Sequence, residues 1–121
     1  DGMRILTGAG DRTARIWSAT TGEQLLLLKG HTGPLTAAAF APCGTEVLTA
    51  SGDHTARIWS AETGELFLIV SGHGGPLTSA AFSPDGSQIL TASLDRSVRL
   101  WSSEDGRCIR MLRGHDDFVL S

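Results

Sequence analysis

The chain has no excess of basic residues, no long apolar run, no cysteine framework and no stretch of helical periodicity. Its net charge is −3, which argues against a general nucleic-acid binder, since such a protein usually carries a basic stripe that neutralises phosphates, and leaves room for a local basic patch. No apolar run approaches the roughly 20 residues that cross a bilayer as a helix, which sets a membrane partner aside. Asp1-Gly2-Met3 is not a basic segment leading into an apolar one, so no signal peptide is visible. With no Met at position 1, a piece of a longer chain is expected. Cys43 and Cys108 stand at unrelated points of the sequence, so two free thiols are expected and a reducing setting, intracellular and cytoplasmic, follows. No segment keeps a period of about 3.6 residues over ten positions, so helices are not the building element.

What is present is repetition. Trp17, Trp59 and Trp101 are 42 residues apart, as are Asp11, Asp53 and Asp95, and His31, His73 and His115. A fixed period of this size means one supersecondary unit copied and stacked, because one copy cannot bury its own apolar face. In the middle copy, Pro34–Phe40, Glu46–Ser51, Thr55–Ser60 and Leu66–Ser71 read as short strands. Ala41-Pro42-Cys43-Gly44, Gly52-Asp53-His54 and Glu62-Thr63-Gly64-Glu65 read as turns between them. Four antiparallel strands per unit form the blade of a β-propeller. The fold class is therefore all-β, with about three blades in one partial propeller over 1–121. Its repeat units are 1–42, 43–84 and 85–121, circularly offset from the blades. Asp1 aligns with Cys43, and Gly114–Ser121 align with Gly30–Ala37. Additional blades are thus expected, either from the rest of a longer chain or from identical chains that assemble a ring.

Several positions recur together. Gly30-His31, Gly72-His73 and Gly114-His115 precede a blade. Ser83-Pro84-Asp85-Gly86 forms a turn, and Leu90 to Trp101 carries two strands. On these residues the chain resembles the WD-repeat β-propeller family over essentially its whole length. One departure is that all three copies read Trp-Ser rather than Trp-Asp (Trp17-Ser18, Trp59-Ser60, Trp101-Ser102), which would remove one polar anchor per blade. The resemblance implies a structural network of Trp, strand hydroxyl, turn Asp and His. One set is His31, Thr49, Asp53 and Trp59. The next is His73, Thr91, Asp95 and Trp101. Thr7, Asp11 and Trp17 would form a partial set, and His115 would belong to the blade after the third or close the ring.

A hydroxyl, a His and an Asp also invite a hydrolase reading, but a catalytic set is needed once and this one recurs in every unit. No Gly-x-Ser-x-Gly elbow is present. The recurring histidines have no second ligand at metal spacing, and Gly8-Ala9-Gly10 lacks the helix and Lys of a phosphate loop, so no metal or cofactor is expected. His54 reads as an exposed turn residue, and Arg15, Arg57 and Arg99 as solvent-facing or stacking side chains.

The resemblance further implies a non-catalytic scaffold that binds proteins or peptides on one face of the propeller. The residues that would line it are Pro34, Thr36, Pro76, Thr78, Phe118 and Leu120, with Gly10, Gly52 and Leu94. Leu94, Phe118 and Leu120, beside Asp116 and Asp117, form the apolar exception among the copies. Either they dock a peptide, or Phe118 packs under the next blade. The other reading of the chain is a designed or recently amplified repeat that self-assembles and has no natural ligand.

Overall fold

The computed structural model describes residues 4–8, 12–71 and 73–112. These form eleven strands and no helix: β1 (Arg4–Gly8), β2 (Ala14–Ser18), β3 (Gln24–Leu28), β4 (Leu35–Phe40), β5 (Glu46–Ser51), β6 (Ala56–Ser60), β7 (Leu66–Val70), β8 (Leu77–Phe82), β9 (Gln88–Ser93), β10 (Val98–Ser102) and β11 (Cys108–Leu112). They make three antiparallel sheets, β1-β2-β3, β4-β5-β6-β7 and β8-β9-β10-β11. These are the blades of a β-propeller, and the described residues draw no closed ring. The sheets lie out of step with the sequence units, because the first begins at the strand equivalent to β5.

The strand limits follow from local chemistry. β4 begins after Pro34, which has no N–H to give to the ladder. β6 begins after Thr55, whose amide and hydroxyl both go to Asp53. The β4–β5 hairpin closes with Gly44 at φ 80°, a left-handed position that glycine occupies without cost.

Each complete sheet carries bulges at equivalent places. Thr36 and Thr78 are extra residues in the first strands, where the register skips from Leu35 to Ala37 and from Leu77 to Ser79. Phe67 is the extra residue of β7, opposite the step from Ile58 to Trp59. A bulge re-aims a side chain, and Phe67 points into solvent.

Alternation along the strands sends apolar residues to two cores. Val47, Trp59 and Ala61 pack with Ala14, Ile16 and Leu28 between the first and second sheets. Leu48, Ala50, Ile58 and Val70 pack with Leu77, Ile89 and Trp101 between the second and third. The middle sheet is thus covered on both sides.

Candidate functional site

The most buried polar groups lie where β5 meets the turn into β6. The Gly33 segment passes so close to that turn that a Cβ on Gly33 would stand 2.8 Å from the Asp53 amide nitrogen. This close approach brings His31 over the turn. His31 Nδ1 lies 2.8 Å from Asp53 Oδ2, and Nε2 lies 2.6 Å from Thr49 Oγ1. The Trp59 indole donates to the same Thr49 oxygen at 2.9 Å. One proton arrangement satisfies all four groups. The indole N–H donates to Thr49, the Thr49 O–H donates to His31 Nε2, and His31 Nδ1–H donates to the Asp53 carboxylate.

The imidazole in that arrangement is neutral, and its surroundings favour this. Burial pushes the His31 pKa below its ordinary value, against the opposing pull of Asp53. Asp53 moves the other way. Burial raises it, but hydrogen bonds from the Thr55 hydroxyl, His31 and the amides of Thr32 and Thr55 outweigh that and hold its pKa at about 2. The side chains of His31 and Asp53 are almost entirely enclosed.

The third sheet repeats the geometry. His73 reaches Asp95 at 3.0 Å and Thr91 at 2.7 Å, and Trp101 donates to Thr91 at 2.8 Å. Burial opposes ionisation of Asp95, yet the Ser97 hydroxyl, the Gly74 amide and His73 carry its pKa well below the carboxylate range. In the first sheet Trp17 donates to Thr7 at 2.9 Å, in the open. Asp11 and His115 lie outside the described residues.

Other hydroxyls join that sequence reasoning did not single out. Thr55 and Ser97 donate to the turn carboxylates at 2.6 Å. Ser51 and Ser93 donate to the carbonyls of Gly33 and Gly75. The signal was available for the first pair, because Thr13, Thr55 and Ser97 all stand two residues after the recurring Asp.

The expected loss of an anchor at Trp-Ser is corrected by the structure. The Ser60 hydroxyl accepts the amides of Glu62 and Thr63 at 3.1 Å each, and Ser18 serves Thr20 and Thr21 likewise. A hydroxyl has the lone pairs to hold such a turn, so the anchor is kept. Of the recurring arginines, Arg99 stands 5.9 Å from the centroid of the Trp101 ring. Among the described residues the Nε atoms of Arg57 and Arg99 are buried and meet no hydrogen-bond partner, and of the two Arg99 lies over an aromatic ring.

The candidate partner face lies at the same end of the blades as the histidines. Pro34 sits beside Gly52, whose amide donates to its carbonyl, and Pro76 is joined in the same way to Leu94. Pro34, Thr36 and Leu94 are exposed, whereas Pro76 and Thr78 are half-buried. Thr78 Oγ1 is a buried hydroxyl with no hydrogen-bond partner among the described residues. Thr36 also lines a cleft of about 210 Å³ between β1 and β4. Phe118 and Leu120 lie outside the described residues, so Leu94 is the apolar exception that can be placed. Among the described residues no group of three His, Cys, Asp or Glu could hold a metal ion, and no helix is long and apolar enough to cross a membrane.

Comparison with known proteins finds matching segments in WD-repeat relatives, among them the following two. Ribosome assembly protein 4 of Chaetomium thermophilum is 46% identical over 41 residues, covering 34% of this chain and 8% of that protein. WD repeat-containing protein 86 of Homo sapiens is 50% identical over 36 residues, covering 30% of this chain and 10% of that protein. The WD40 family model, described as WD domain, G-beta repeat, matches residues 22–60 and 64–102. With more than half of its residues in two such repeats, the chain belongs to the WD40 family, whose repeats build generally non-catalytic protein-interaction scaffolds.

Proposed function

We propose that this chain is a non-catalytic scaffold that presents the Pro34, Thr36, Pro76, Thr78 and Leu94 end of its blades to a protein or peptide. The observation that carries this reading is the enclosure of Thr49 and Thr91. Each hydroxyl is fully buried between an indole donor and an imidazole acceptor, so it lacks the exposure that attack on a solute needs. Specificity then falls to the turns that differ among copies, and Leu94, 44% exposed, is the apolar group available there. Phe118 and Leu120 are proposed as its companions. Two exposed free cysteines, Cys43 and Cys108, support a reducing cytoplasmic setting.

The blades proposed to complete the propeller are supported by unmatched faces. Leu48 is 1% exposed against the third sheet, but its counterpart Leu90 is 47% exposed. Val47 is 0% exposed against the first sheet, but its counterpart Ile5 is 51% exposed. The outer faces of the first and third sheets therefore each suit another blade, from a longer chain or from an identical one. Units 1–42, 43–84 and 85–121 of one partial propeller fit the same reading.

The test is affinity capture with wild type and Leu94→Ser, with circular dichroism as the fold control. A partner retained by wild type and lost by a folded Leu94→Ser chain is the expected result. Identical capture by both would overturn the assignment of this face. Light scattering at several concentrations separates the two sources of further blades. A monomer of about 12.7 kDa excludes self-assembly, and a concentration-dependent oligomer supports it.

A further inference from the structure

The two junctions between sheets are built alike but filled differently. At the first, Arg4 reaches from β1 into the second sheet. Its guanidinium donates to the Ala61 carbonyl at 3.1 Å and to the Gly44 carbonyl at 2.6 Å. It also stands 5.3 Å from the centroid of the Phe40 ring, within cation–π range. The junction thus contains an arginine receptor of two carbonyls and an aromatic ring, occupied by the chain's own arginine.

Moving one repeat along converts Phe40, Gly44 and Ala61 into Phe82, Gly86 and Ser103. The backbone positions are kept, but Arg4 becomes Glu46, and the Ser103 hydroxyl, which Ala61 lacks, donates to the Gly86 carbonyl at 2.7 Å. At this second junction the space is an open groove of about 610 Å³, floored by Ile58, Leu68 and the exposed Phe67 and lined by Gly86 and Ser103. Glu46, Asp85 and Glu104 bring three carboxylates to it, and none of them is ion-paired among the described residues. Asp85 is held anionic by the amide and hydroxyl of Ser87 and by Ser83, which keep its pKa at about 2. Among the described residues the carboxylates form no cluster able to hold a metal ion, so the geometry suits an extended organic cation. The groove lies at the opposite end of the blades from His31 and Leu94.

We propose that the groove between the second and third sheets receives an arginine side chain carried by a partner peptide, in the position that Arg4 fills at the preceding junction. The guanidinium meets the rim carboxylates and the Ser103 carbonyl, and takes the second lone pair of the Gly86 carbonyl beside the Ser103 hydroxyl. Its methylene stem and the neighbouring peptide residues cover Phe67. Arginine suits this receptor better than lysine because its planar fork reaches several acceptors at once. The proposal rests on the scaffold reading and names a second surface for it.

The test is a heteronuclear NMR titration of the full chain with Nα-acetyl-arginine methylamide, with the lysine analogue and the neutral isostere citrulline as controls. The arginine compound should give saturable shifts at the amides of Phe67, Ser87 and Glu104, the lysine compound weaker ones, and citrulline none. Glu46→Gln or Glu104→Gln should weaken binding by about two- to fivefold, the range of an exposed ion pair. Glu46→Arg, which supplies the junction with its own guanidinium, should abolish binding while the spectrum stays dispersed. Equal shifts with citrulline, or no saturable shift at those amides in wild type, would overturn the groove. Either result leaves the scaffold reading standing, because that reading is tested at Leu94 on the other end of the blades.

Discussion

Trp17 donates to Thr7 at 2.9 Å and Trp59 donates to Thr49 at the same 2.9 Å, yet the first pair is open and the second is sealed. In both sheets the donor and acceptor are ten residues apart on neighbouring strands of one hairpin, so the register alone sets the bond. The seal needs more. A first strand, here β4, and the His31 and Gly33 segment leading into it must lie against the hairpin. Among the described residues the first sheet has neither. The difference separates a local hydrogen bond, which any copy makes, from a buried network, which clamps the approach to one strand onto the turn between two others.

The strongest way to break the comparison is to remove the carboxylate. Asp53→Ala leaves His31, the Thr55 hydroxyl and two amides without their acceptor. Loss of a charged partner from such an enclosed set should cost about 3 kcal/mol or more, read by urea denaturation. A loss below about 1 kcal/mol would mean that the clamp is dispensable.

Acid reaches the same groups without mutation. The Asp53 pKa of about 2 lies below the ordinary value near 3.9. On acidification the unfolded chain therefore takes up this proton first, and stability is lost between about pH 4 and pH 2. His31 is also lowered. The unfolded chain protonates it first, so its share of stability is full above about pH 6.5 and begins to fall below that. Thermal melts should show a midpoint at pH 7.5 above that at pH 5, and a further drop by pH 3. A midpoint that rises on acidification would contradict the assigned protonation states.

A smaller effect sharpens the contrast between sheets. Thr49→Val strands a buried indole N–H and a buried imidazole nitrogen and should cost about 2 kcal/mol. Thr7→Val breaks the same bond in the open, where water replaces it, and should cost under about 0.5 kcal/mol. Equal losses would remove the distinction. Smaller again is the contrast between junctions. Arg4→Ala should destabilise by about 1 kcal/mol through its carbonyl contacts and Phe40, whereas Glu46→Ala should change stability by less than about 0.5 kcal/mol. The smallest expected change is at the turn. His54 has φ 77°, a left-handed conformation that strains a residue with a Cβ, so His54→Gly sets about 1 kcal/mol of relieved strain against the entropy that glycine adds to the unfolded chain, and urea denaturation should show a net gain of only about 0.3 kcal/mol.

Much of this was legible in the sequence because alternation and turn residues are local. LFLIV between Gly64 and Gly72 had to be a strand, and Thr49, Asp53 and Trp59 stand at fixed offsets along one hairpin. The bulges were not legible, because Thr36, Thr78 and Phe67 occupy ordinary strand positions and only the partner's register shows the skipped residue. The serine anchors were misjudged because a shorter side chain was equated with a lost contact, whereas the turn amides come to it. The acidic groove was hidden because Arg4 and Glu46 look like a routine charge change within a repeat. Their meaning appears when Gly44, Ala61 and Phe40 are seen around one guanidinium.

The central claim is that the recurring His, Asp, hydroxyl and indole act together to hold the blade. A double-mutant cycle on His31→Ala and Thr49→Val, followed by urea denaturation, addresses it most directly. Members of one buried network should show a coupling of about 1–3 kcal/mol, the double variant losing much less than the two single losses combined. Additivity within about 0.5 kcal/mol would show that the histidine and the hydroxyl act independently, and would contradict the clamp.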